Sequence, residues 1–507
     1  MGRAIPLMVQ GTSSDAGKSV LVTALCRIFA QDGYKTAPFK SQNMALNSAV
    51  TPDGKEIGRA QAVQAEAAGI IATTDMNPIL IKPTREQEAQ IVVHGVPFQT
   101  MRAKAYRTDF FATGLRIVEE AYQRLANTYE RIVIEGAGSP AEINLNDREL
   151  VNMRVARLAD APVILIADIE RGGVFASLVG TLQLLEPEDR DRVIGVIINR
   201  FRGDLSLLQP GLDWFERYTG KPVLGVIPFL PDLWIDAEDS LILHKYRRQG
   251  DAAGDIDIAV LHYPRISNFT DIDPFRVEPD CRVRYITRPE ELGEPDVVLL
   301  PGSKNTIEDL LFLREQGLEQ AVLRLHEKGL TCLVGLCGGY QMLGRVIRDP
   351  YGVESPRHEI DGLGLIPAVT TLEKTKTTVL SSGTARFDGN PLPVTGYEIH
   401  MGQTAYMEEA APLIHLEDRQ DGYWNKEKRV LGTYVHGLFH NDELRHRFLD
   451  WVRGRKGLSA LAGRPSFVRM REEGFDYLAE QVRAHVQIDR IYEHMMAFHR
   501  EKRGSRS

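Results

Sequence analysis

The chain has 507 residues, of which 43% are hydrophobic and 26% charged, and it carries a net charge of −8 with a pI near 6.0. This length exceeds what one hydrophobic core supports, so we expect two or more domains. The acidic balance argues against a nucleic-acid binder, and no apolar run approaches the ~20 residues that span a bilayer. The four cysteines show no C-x-x-C pair, and the start of the chain is too quickly polar for a signal peptide. We therefore expect a cytoplasmic protein.

The first half of the chain alternates apolar runs with amphipathic stretches. The runs AIPLMV, RIVIEG, PVILIAD, VIGVIIN and PVLGVIP are nearly continuous in apolar residues. This pattern is typical of parallel strands that helices cover on both faces. KSVLVTALCRIFAQ, after the first run, predicts a helix that ends at Gly33. The first half therefore predicts a doubly wound α/β domain.

The stretch GTSSDAGKS resembles a phosphate-binding P-loop with one additional residue. Five residues separate Gly11 from Gly17, whereas the usual G-x-x-x-x-G-K-[ST] pattern has four. Because the loop joins a predicted strand to a predicted helix, its N–H groups would face an anion at the helix N-terminus. We assign Gly11, Thr12, Gly17 and Lys18 to ATP binding, and the Ser19 hydroxyl to Mg²⁺. A strand-to-helix turn that merely needs glycine is the alternative.

Two charged residues at the ends of other predicted strands support the prediction of a nucleotide-binding site. Glu135 ends RIVIEG, where a carboxylate at the sheet edge is a suitable Mg²⁺ ligand. Lys40, in PFKSQNMALNS, would add positive charge near the phosphates. The alternatives are a carboxylate that caps the glycine turn and an ordinary surface lysine.

GTSSDAGKS, the strand-end lysine and VIEGAG together resemble the dethiobiotin-synthetase type of ATP-dependent carboxylate-activating domain. That family uses the longer loop. The resemblance implies phosphorylation of a carboxylate by ATP, with Mg²⁺ at Ser19 and Glu135, and a base contact from Asn199 in VIINRFRGD. The family's acidic metal ligand after the second strand has no clear match here, and Gln61 and Glu66 are the residues in that region.

The second half begins after a charged stretch, HKYRRQGDAAGDID, that is typical of a linker. Apolar runs resume at IDIAVLHYP, DVVLLPG, TCLVGLCGG, TTVLSSGTARF and RVLGTYVHG. The predicted fold class is therefore α/β with two domains, each a mostly parallel doubly wound sheet. The predicted boundaries are an ATP-dependent domain at 1–245, a linker at 246–256, a second domain at 257–495 and a frayed tail at 496–507.

LVGLCGGYQMLG predicts a nucleophile elbow in the second domain. An apolar strand leads into Cys337, two glycines follow, and a helix resumes, so the turn would display the thiol at a helix N-terminus. The helix dipole there favours the thiolate, which is the reactive form. The Gly338 N–H is the first predicted oxyanion donor, and the region of Gly302, in DVVLLPGSKNT, supplies the second. A buried, inert cysteine is the alternative.

A base is expected near the elbow, and His436 in GTYVHGLFH is preferred to His400 in GYEIHMG. The His436 context resembles a class I glutamine amidotransferase. Most members of that class carry a Glu two residues after the histidine, whereas Leu438 stands here. The third member of the triad is therefore absent by motif, and Glu398 or a backbone carbonyl is left open as the group that orients the imidazole.

The second domain resembles the amidotransferase domain of the enzymes that amidate cobyric and cobyrinic acids, in the stretches LPGSKNT, GLCGGYQMLG and YVHG. Those enzymes also lack the Glu two residues after the histidine. SQNMALNS, DIERGGVFASLVGT, PRISNFTDIDPF and GYEIHMG extend the resemblance to the cobyric acid synthase family over nearly the whole chain. It implies a cobalamin-biosynthesis ligase that amidates the b, d, e and g carboxylates of adenosylcobyrinic acid a,c-diamide. Asp168, Arg171, Gly172 and Gly173 of DIERGG would face phosphate or corrinoid, or form a plain glycine loop.

Three other functions are less consistent with the sequence. Cobyrinic acid a,c-diamide synthase shares both domain types, but SQNMALNS and RISNFTDIDPF argue against it. CTP synthase carries the full Cys-His-Glu triad, which this chain lacks. A non-catalytic P-loop ATPase switch would have no use for Cys337. The expected partners are small molecules (corrinoid acid, glutamine and ATP), without nucleic acid or membrane, and a homo-oligomer is left open.

Overall fold

The structure is a computed structural model that describes residues 4–85, 87–231, 233 and 254–504. The described residues fall into two compact units, the first within 1–44, 57–235 and 471–507, and the second within 45–56 and 236–470. Each unit is built around a six-stranded, mostly parallel sheet, so the predicted fold class is confirmed. In the described ranges, no helix combines the length and the apolar character that a membrane crossing needs.

The five apolar runs predicted in the first half are all strands of one sheet. Its order is β12-β11-β10-β1-β9-β2, and every neighbouring pair is parallel. The strands of this half are β1 Ile5–Gly11, β2 Thr36–Phe39, β3 Gln42–Met44, β4 Ser48–Val50, β5 Glu56–Gly58, β6 Ile79–Arg85, β7 Glu88–Val93, β8 Val96–Arg102, β9 Arg131–Glu135, β10 Val163–Asp168, β11 Val193–Phe201 and β12 Val223–Pro228. A second sheet, of order β3-β6-β7-β8, belongs to the same unit.

Helices lie between the consecutive parallel strands of this sheet, because a parallel connection needs a crossover from one end of the sheet to the other. The predicted helix KSVLVTALCRIFAQ has the same bounds in the structure, and Gly33 beyond its end has a φ of 87°. The helices of the first half are α1 Lys18–Gln31, α2 Arg59–Ala67, α3 Ala103–Ala105, α4 Phe111–Thr128, α5 Met153–Ala159, α6 Val174–Leu184, α7 Pro187–Arg192 and α8 Leu205–Thr219. A π-helical stretch, Tyr106–Phe110, joins α3 to α4, and 3₁₀ turns lie at Thr74–Met76 and Asn146–Arg148.

The second half contains another parallel sheet, of order β15-β13-β16-β18-β26-β25, in which only β25 is antiparallel. A long antiparallel hairpin, β21–β22, belongs to a further sheet. The strands are β13 Ile256–Leu261, β14 Ile266–Ser267, β15 Cys281–Ile286, β16 Val297–Leu300, β17 Gly302–Ser303, β18 Cys332–Leu336, β19 Val346–Arg348, β20 Glu359–Asp361, β21 Ala368–Arg386, β22 Pro391–Tyr406, β23 Ile414–Leu416, β24 Gln420–Asp421, β25 Tyr423–Asn425 and β26 Val430–Thr433.

The helices of the second half are α9 Asp273–Arg276, α10 Thr306–Glu315, α11 Leu318–Glu327, α12 Gly338–Leu343, α13 Asp442–Arg455, α14 Phe467–His485 and α15 Ile488–Gly504. Short 3₁₀ turns lie at Phe269–Ile272, Pro289–Glu291 and Leu438–His440. Because β16, β18 and β26 are parallel neighbours, the residues after them gather at one sheet edge. Those residues include Gly302, Cys337 and His436.

The C-terminal helices depart from the predicted boundaries. Leu478 and Val482 of α14 share a hydrophobic core with Leu7 and Val9 of β1, so 471–504 belong to the first unit, whereas the predicted second domain extends to 495. α15 continues to residue 504, through most of the predicted frayed tail. Much of the predicted linker lies outside the described residues. The functional boundaries stay a prediction.

Candidate active site

The P-loop of the first unit wraps around its own lysine. Lys18 Nζ donates to the carbonyl oxygens of Ser13, at 2.9 Å, and Gly138, at 3.2 Å. A Cβ added to Gly11 would lie 2.9 Å from the Ser13 carbonyl oxygen, so glycine is favoured there. Gly17, the residue before α1, has a φ of 102°, a conformation that also favours glycine. The segment from Gly11 to Gly17, with five residues between the two glycines, is therefore a closed loop at a helix N-terminus. This is the geometry of an anion-binding site.

Three side chains surround the carboxylate of Glu135 at the end of β9. Oxygen Oε1 accepts from Ser19 Oγ at 2.9 Å and from Lys40 Nζ at 2.8 Å, and Oε2 accepts from Gln64 Nε2 at 2.5 Å. The Glu135 side chain is fully buried, and the Lys40 side chain is only 6% exposed. The three predicted residues Ser19, Lys40 and Glu135 thus meet in one buried cluster.

The two residues considered for the missing acidic metal ligand face elsewhere. Glu66 pairs with Arg471 at 2.6 Å, and Gln61 Oε1 accepts from Asn43 at 3.0 Å. Gln64, one turn beyond Gln61 on α2, is the residue that reaches Glu135. Of the residues in this region, Gln64 is therefore the one that contacts Glu135, and neither Gln61 nor Glu66 does so.

The donor set near Glu135 fits Mg²⁺, which prefers oxygen ligands and keeps several waters. It contains the Ser19 hydroxyl and the Glu135 carboxylate. Gln64, which contacts Glu135, has a buried Oε1 with no hydrogen-bond partner. Across the described part of the chain, no three His, Cys, Asp or Glu side chains gather into a metal cluster. A cation here would consequently depend on few protein ligands and on nucleotide oxygens.

Asn199, at the end of β11, is tied to the P-loop. Its Nδ2 donates to the Ala16 carbonyl at 3.0 Å, and its Oδ1 accepts from the Arg200 backbone at 2.9 Å. A Cβ on Gly17 would come within 2.1 Å of Asn199 Nδ2, so the two segments are in close contact. The base contact of Asn199 stays a prediction.

The DIERGG loop also reaches the P-loop. Arg171 lies 3.4 Å from Asp15 of the P-loop, and Asp168 pairs with Arg200 at 2.6 Å. Gly172 and Gly173 both have positive φ values and lead into α6. The loop therefore borders the nucleotide site, while its role toward a substrate stays a prediction.

Cys337 occupies a strained elbow in the second unit. It lies between β18 and α12 with φ 50° and ψ −105°, a conformation that is uncommon for a non-glycine residue. Its backbone N–H donates to the Thr433 carbonyl at 2.8 Å, and Sγ lies 3.6 Å from the Ile399 carbonyl oxygen. Strain of this kind at a strand-to-helix turn is typical of a nucleophile elbow.

His436 is held by Asp271, a residue that the sequence motifs do not identify. His436 Nδ1 lies 2.6 Å from Asp271 Oδ2, and the Gly437 N–H donates to Asp271 Oδ1 at 2.8 Å. Both side chains are almost completely buried, at 1% and 3% exposure. The carboxylate thereby fixes the ring and the backbone that carries it.

The electrostatics of His436 favour the imidazolium. Burial lowers the pKa of His436, but the Asp271 carboxylate and the neighbouring Cys337 raise it by more, to about 10 from the ordinary 6.5. The arrangement is therefore a thiol with a cationic partner, oriented by a carboxylate.

Glu398 and His400 form a separate network. His400 Nε2 lies 3.2 Å from Glu398 Oε2, and its Nδ1 lies 2.8 Å from the Gly402 carbonyl oxygen. Glu398 Oε1 also accepts from Ser381 and Arg419. Both ring nitrogens of His400 are thus engaged away from Cys337. Glu398, one of the two groups left open for orienting His436, is replaced in that position by Asp271.

The two predicted oxyanion donors lie on adjacent segments. A Cβ added to Gly302 would lie 3.3 Å from His436 Cε1, and one added to Gly338 would lie 2.8 Å from the Ser303 backbone nitrogen. β17, which contains Gly302 and Ser303, pairs with β14 and is held next to the elbow. The donor roles of both N–H groups stay predictions.

Sequence comparison places both units in known families. Residues 257–444 match a CobB/CobQ-like glutamine amidotransferase domain, and residues 7–242 match a CobQ/CobB/MinD/ParA nucleotide binding domain. A cobyric acid synthase of Geobacillus sp. (strain WCH70) is 62% identical over 500 residues, covering 99% of each chain. One of Moorella thermoacetica (strain ATCC 39073 / JCM 9320) is 50% identical, covering 96% of each chain. The chain therefore belongs to the cobyric acid synthase family.

Proposed function

We propose that the chain is a glutamine-hydrolysing amide ligase that forms cobyric acid from adenosylcobyrinic acid a,c-diamide. One observation carries the proposal: a Cys337–His436–Asp271 arrangement and a Lys18–Ser19 P-loop site occur in one chain. The first can release ammonia from glutamine, and the second can activate a carboxylate with ATP. The names of the relatives supply the product.

Cys337 and His436 are the proposed catalytic pair of the glutaminase half. The Cys337 sulfur attacks the glutamine carboxamide carbon, and the resulting oxyanion is stabilised by the Gly302 and Gly338 N–H groups. His436 then gives its proton to the departing nitrogen, the C–N bond breaks, and ammonia leaves a thioester. Water, deprotonated by His436, releases glutamate and restores the thiol. Asp271 positions the ring throughout.

The P-loop cluster is the proposed ATP site of the synthetase half. Lys18, Lys40 and the loop N–H groups would bind the phosphates, while Asn199 would contact the base. Ser19 and Glu135 would hold Mg²⁺, which supplies charge neutralisation of the phosphates when bound. The acceptor carboxylate attacks the γ-phosphorus and ADP leaves. Ammonia then displaces phosphate from the acyl phosphate, which forms the amide.

The remaining assignments follow from the family. The proposed acceptor carboxylates are those at b, d, e and g, and the Asp168–Gly173 loop is the proposed phosphate or corrinoid contact. We place the enzyme in the cytoplasm, acting on small molecules and without nucleic acid, as a monomer or a homo-oligomer.

The test uses the purified chain with ATP, Mg²⁺, glutamine and the a,c-diamide, and counts added amides by mass spectrometry. Four additions support the proposal. Cys337→Ala is expected to abolish the glutamine-dependent reaction and to keep the ammonia-dependent one. No addition from either nitrogen source, with an active control enzyme, would overturn the proposal. A parallel incubation contains cobyrinic acid in place of the a,c-diamide. Its amidation would indicate the a,c-diamide synthase reaction instead.

A further inference from the structure

Glu135 has a cationic partner at the oxygen that faces the P-loop. Lys40 Nζ and Ser19 Oγ both contact Oε1, at 2.8 Å and 2.9 Å, while Gln64 occupies Oε2. The Lys40–Glu135 pair is almost wholly buried. A cation shared by Ser19 and Glu135 would have to share Oε1 with the Lys40 ammonium or replace it. Two positive charges on one carboxylate oxygen repel each other, so replacement is favoured.

The surroundings of Glu135 distinguish a ligand site from a structural ion pair. Gln64 is 1% exposed, its Nε2 is bound to Glu135, and its Oε1 has no hydrogen-bond partner. Buried acceptors are satisfied in the great majority of cases, so an unsatisfied one beside a carboxylate indicates a missing donor. Waters bound to Mg²⁺ are strong donors, and Mg²⁺ retains several of them in proteins.

We propose that Lys40 and the divalent cation exchange on Glu135, so that the cation is loaded together with the nucleotide. Without nucleotide, Lys40 neutralises Glu135. The phosphates of ATP, bound at Lys18, attract the Lys40 ammonium and free Oε1 for the cation beside Ser19. Gln64 is a positioning residue: its Nε2 holds Oε2 during the exchange, and its Oε1 accepts from a cation-bound water. This inference rests on the proposed ATP and Mg²⁺ site.

The charge balance gives the exchange its direction. The helix α2 brings a neutral amide to Glu135, so the Lys40 ammonium already balances the charge of this carboxylate, and Lys18 adds a second ammonium group to the P-loop. Such a site attracts a free divalent cation weakly, because the nearby positive charges oppose it. The nucleotide phosphates reverse that balance. Removing the Lys40 charge is expected to make the site attract the cation even when no nucleotide is bound.

The experiment measures Mn²⁺ bound to the full-length protein by electron paramagnetic resonance, which does not depend on turnover. The wild-type protein is titrated with and without a non-hydrolysable ATP analogue. Lys40→Met is titrated without nucleotide and is expected to bind one Mn²⁺ at least about tenfold more tightly than the wild type. Adding Glu135→Gln to Lys40→Met is expected to abolish that gain, which assigns it to this carboxylate.

Glu66→Gln is the matched control, because Glu66 lies on the same helix as Gln64 but pairs with Arg471. It removes a carboxylate away from the cluster and should leave Mn²⁺ binding unchanged. Gln64→Leu should weaken Mn²⁺ binding in the presence of the analogue. Lys40→Gln, which keeps a hydrogen-bond donor, replaces Lys40→Met if circular dichroism shows the latter to be unfolded.

Two results would overturn the exchange. One is a wild-type protein that binds Mn²⁺ as tightly without the analogue as with it. The other is a folded Lys40 variant with no gain in Mn²⁺ affinity. Neither result depends on ligase activity. If the amidation assay fails but the Mn²⁺ titrations give the expected results, the proposed substrate is rejected and the exchange is kept. If amidation succeeds but the Mn²⁺ titrations contradict the exchange, only the exchange is rejected.

Discussion

His436 Nδ1 and Asp271 Oδ2 lie 2.6 Å apart although 165 positions separate the two residues in the chain. The second Asp271 oxygen accepts from the Gly437 N–H, so one carboxylate fixes both the imidazole and its backbone. Asp271 lies in the 3₁₀ turn Phe269–Ile272, not on the strand that leads to the histidine. The position that a Glu occupies in most class I amidotransferases is thus filled from a different part of the fold.

Asp271→Asn is expected to lower kcat of the glutaminase by about 10²–10⁴, because the neutral amide neither fixes the productive tautomer nor stabilises the imidazolium. Amidation with ammonia should be unaffected. The measurement is glutamate release compared with ammonia-dependent amidation. Asp273→Asn, two residues further on, is the control, since Asp273 pairs with Arg276. Equal losses in the two variants would contradict the role given to Asp271.

The pKa of His436 predicts how stability depends on pH. The folded pKa, about 10, lies above the ordinary 6.5, so the protonated ring stabilises the fold fully below about pH 6.5. This contribution is lost as the pH rises through 10. The free energy of unfolding of the wild type, relative to His436→Gln, should therefore fall between pH 7 and 10. Denaturant titrations at several pH values measure the difference, and a constant or growing difference would refute the ionic pairing.

The elements that the sequence predicts well are those with local causes. The apolar runs define β1, β9, β10, β11 and β12 because parallel strands buried on both faces need uninterrupted apolar residues. The elbow at Cys337 is equally local, since one short stretch contains the strand, the turn glycines and the helix start. Lys18, Ser19 and Glu135 follow from strand ends that share one sheet edge.

The residues that the sequence does not predict depend on contacts between distant segments. Asp271 and Glu398 are both acidic residues in family-typical stretches, and only the fold shows which of them meets His436. Gln64 is neutral and lies close to the acidic Glu66 in the sequence. Its residue type therefore does not indicate that it contacts Glu135. The packing of Leu478 and Val482 against β1, within the first unit, is likewise a tertiary contact. An amphipathic helix pattern shows that a face is buried, but not against which sheet.

The strain at Cys337 predicts a difference between two inactive variants. Cys337→Ala keeps a Cβ at φ 50°, whereas Cys337→Gly removes it. A strained backbone of this kind costs about 1–3 kcal/mol, and glycine's greater entropy in the unfolded chain offsets part of the relief. We expect Cys337→Gly to unfold at a higher denaturant concentration than Cys337→Ala, with the glutaminase lost in both. A less stable glycine variant would show that the elbow is not strained.

The two half-reactions should be separable from the ATP side as well. Lys18 Nζ is held inside the P-loop by the Ser13 and Gly138 carbonyls, so Lys18→Met removes a charge from the phosphate site. We expect ATP-dependent amidation to fall by ~10² or more with either glutamine or ammonia, because phosphoryl transfer relies on electrostatic stabilisation. Glutamate release should remain measurable. The exposed Lys35→Met is the control and should keep both activities. Unimpaired amidation in Lys18→Met would exclude this loop as the site of carboxylate activation.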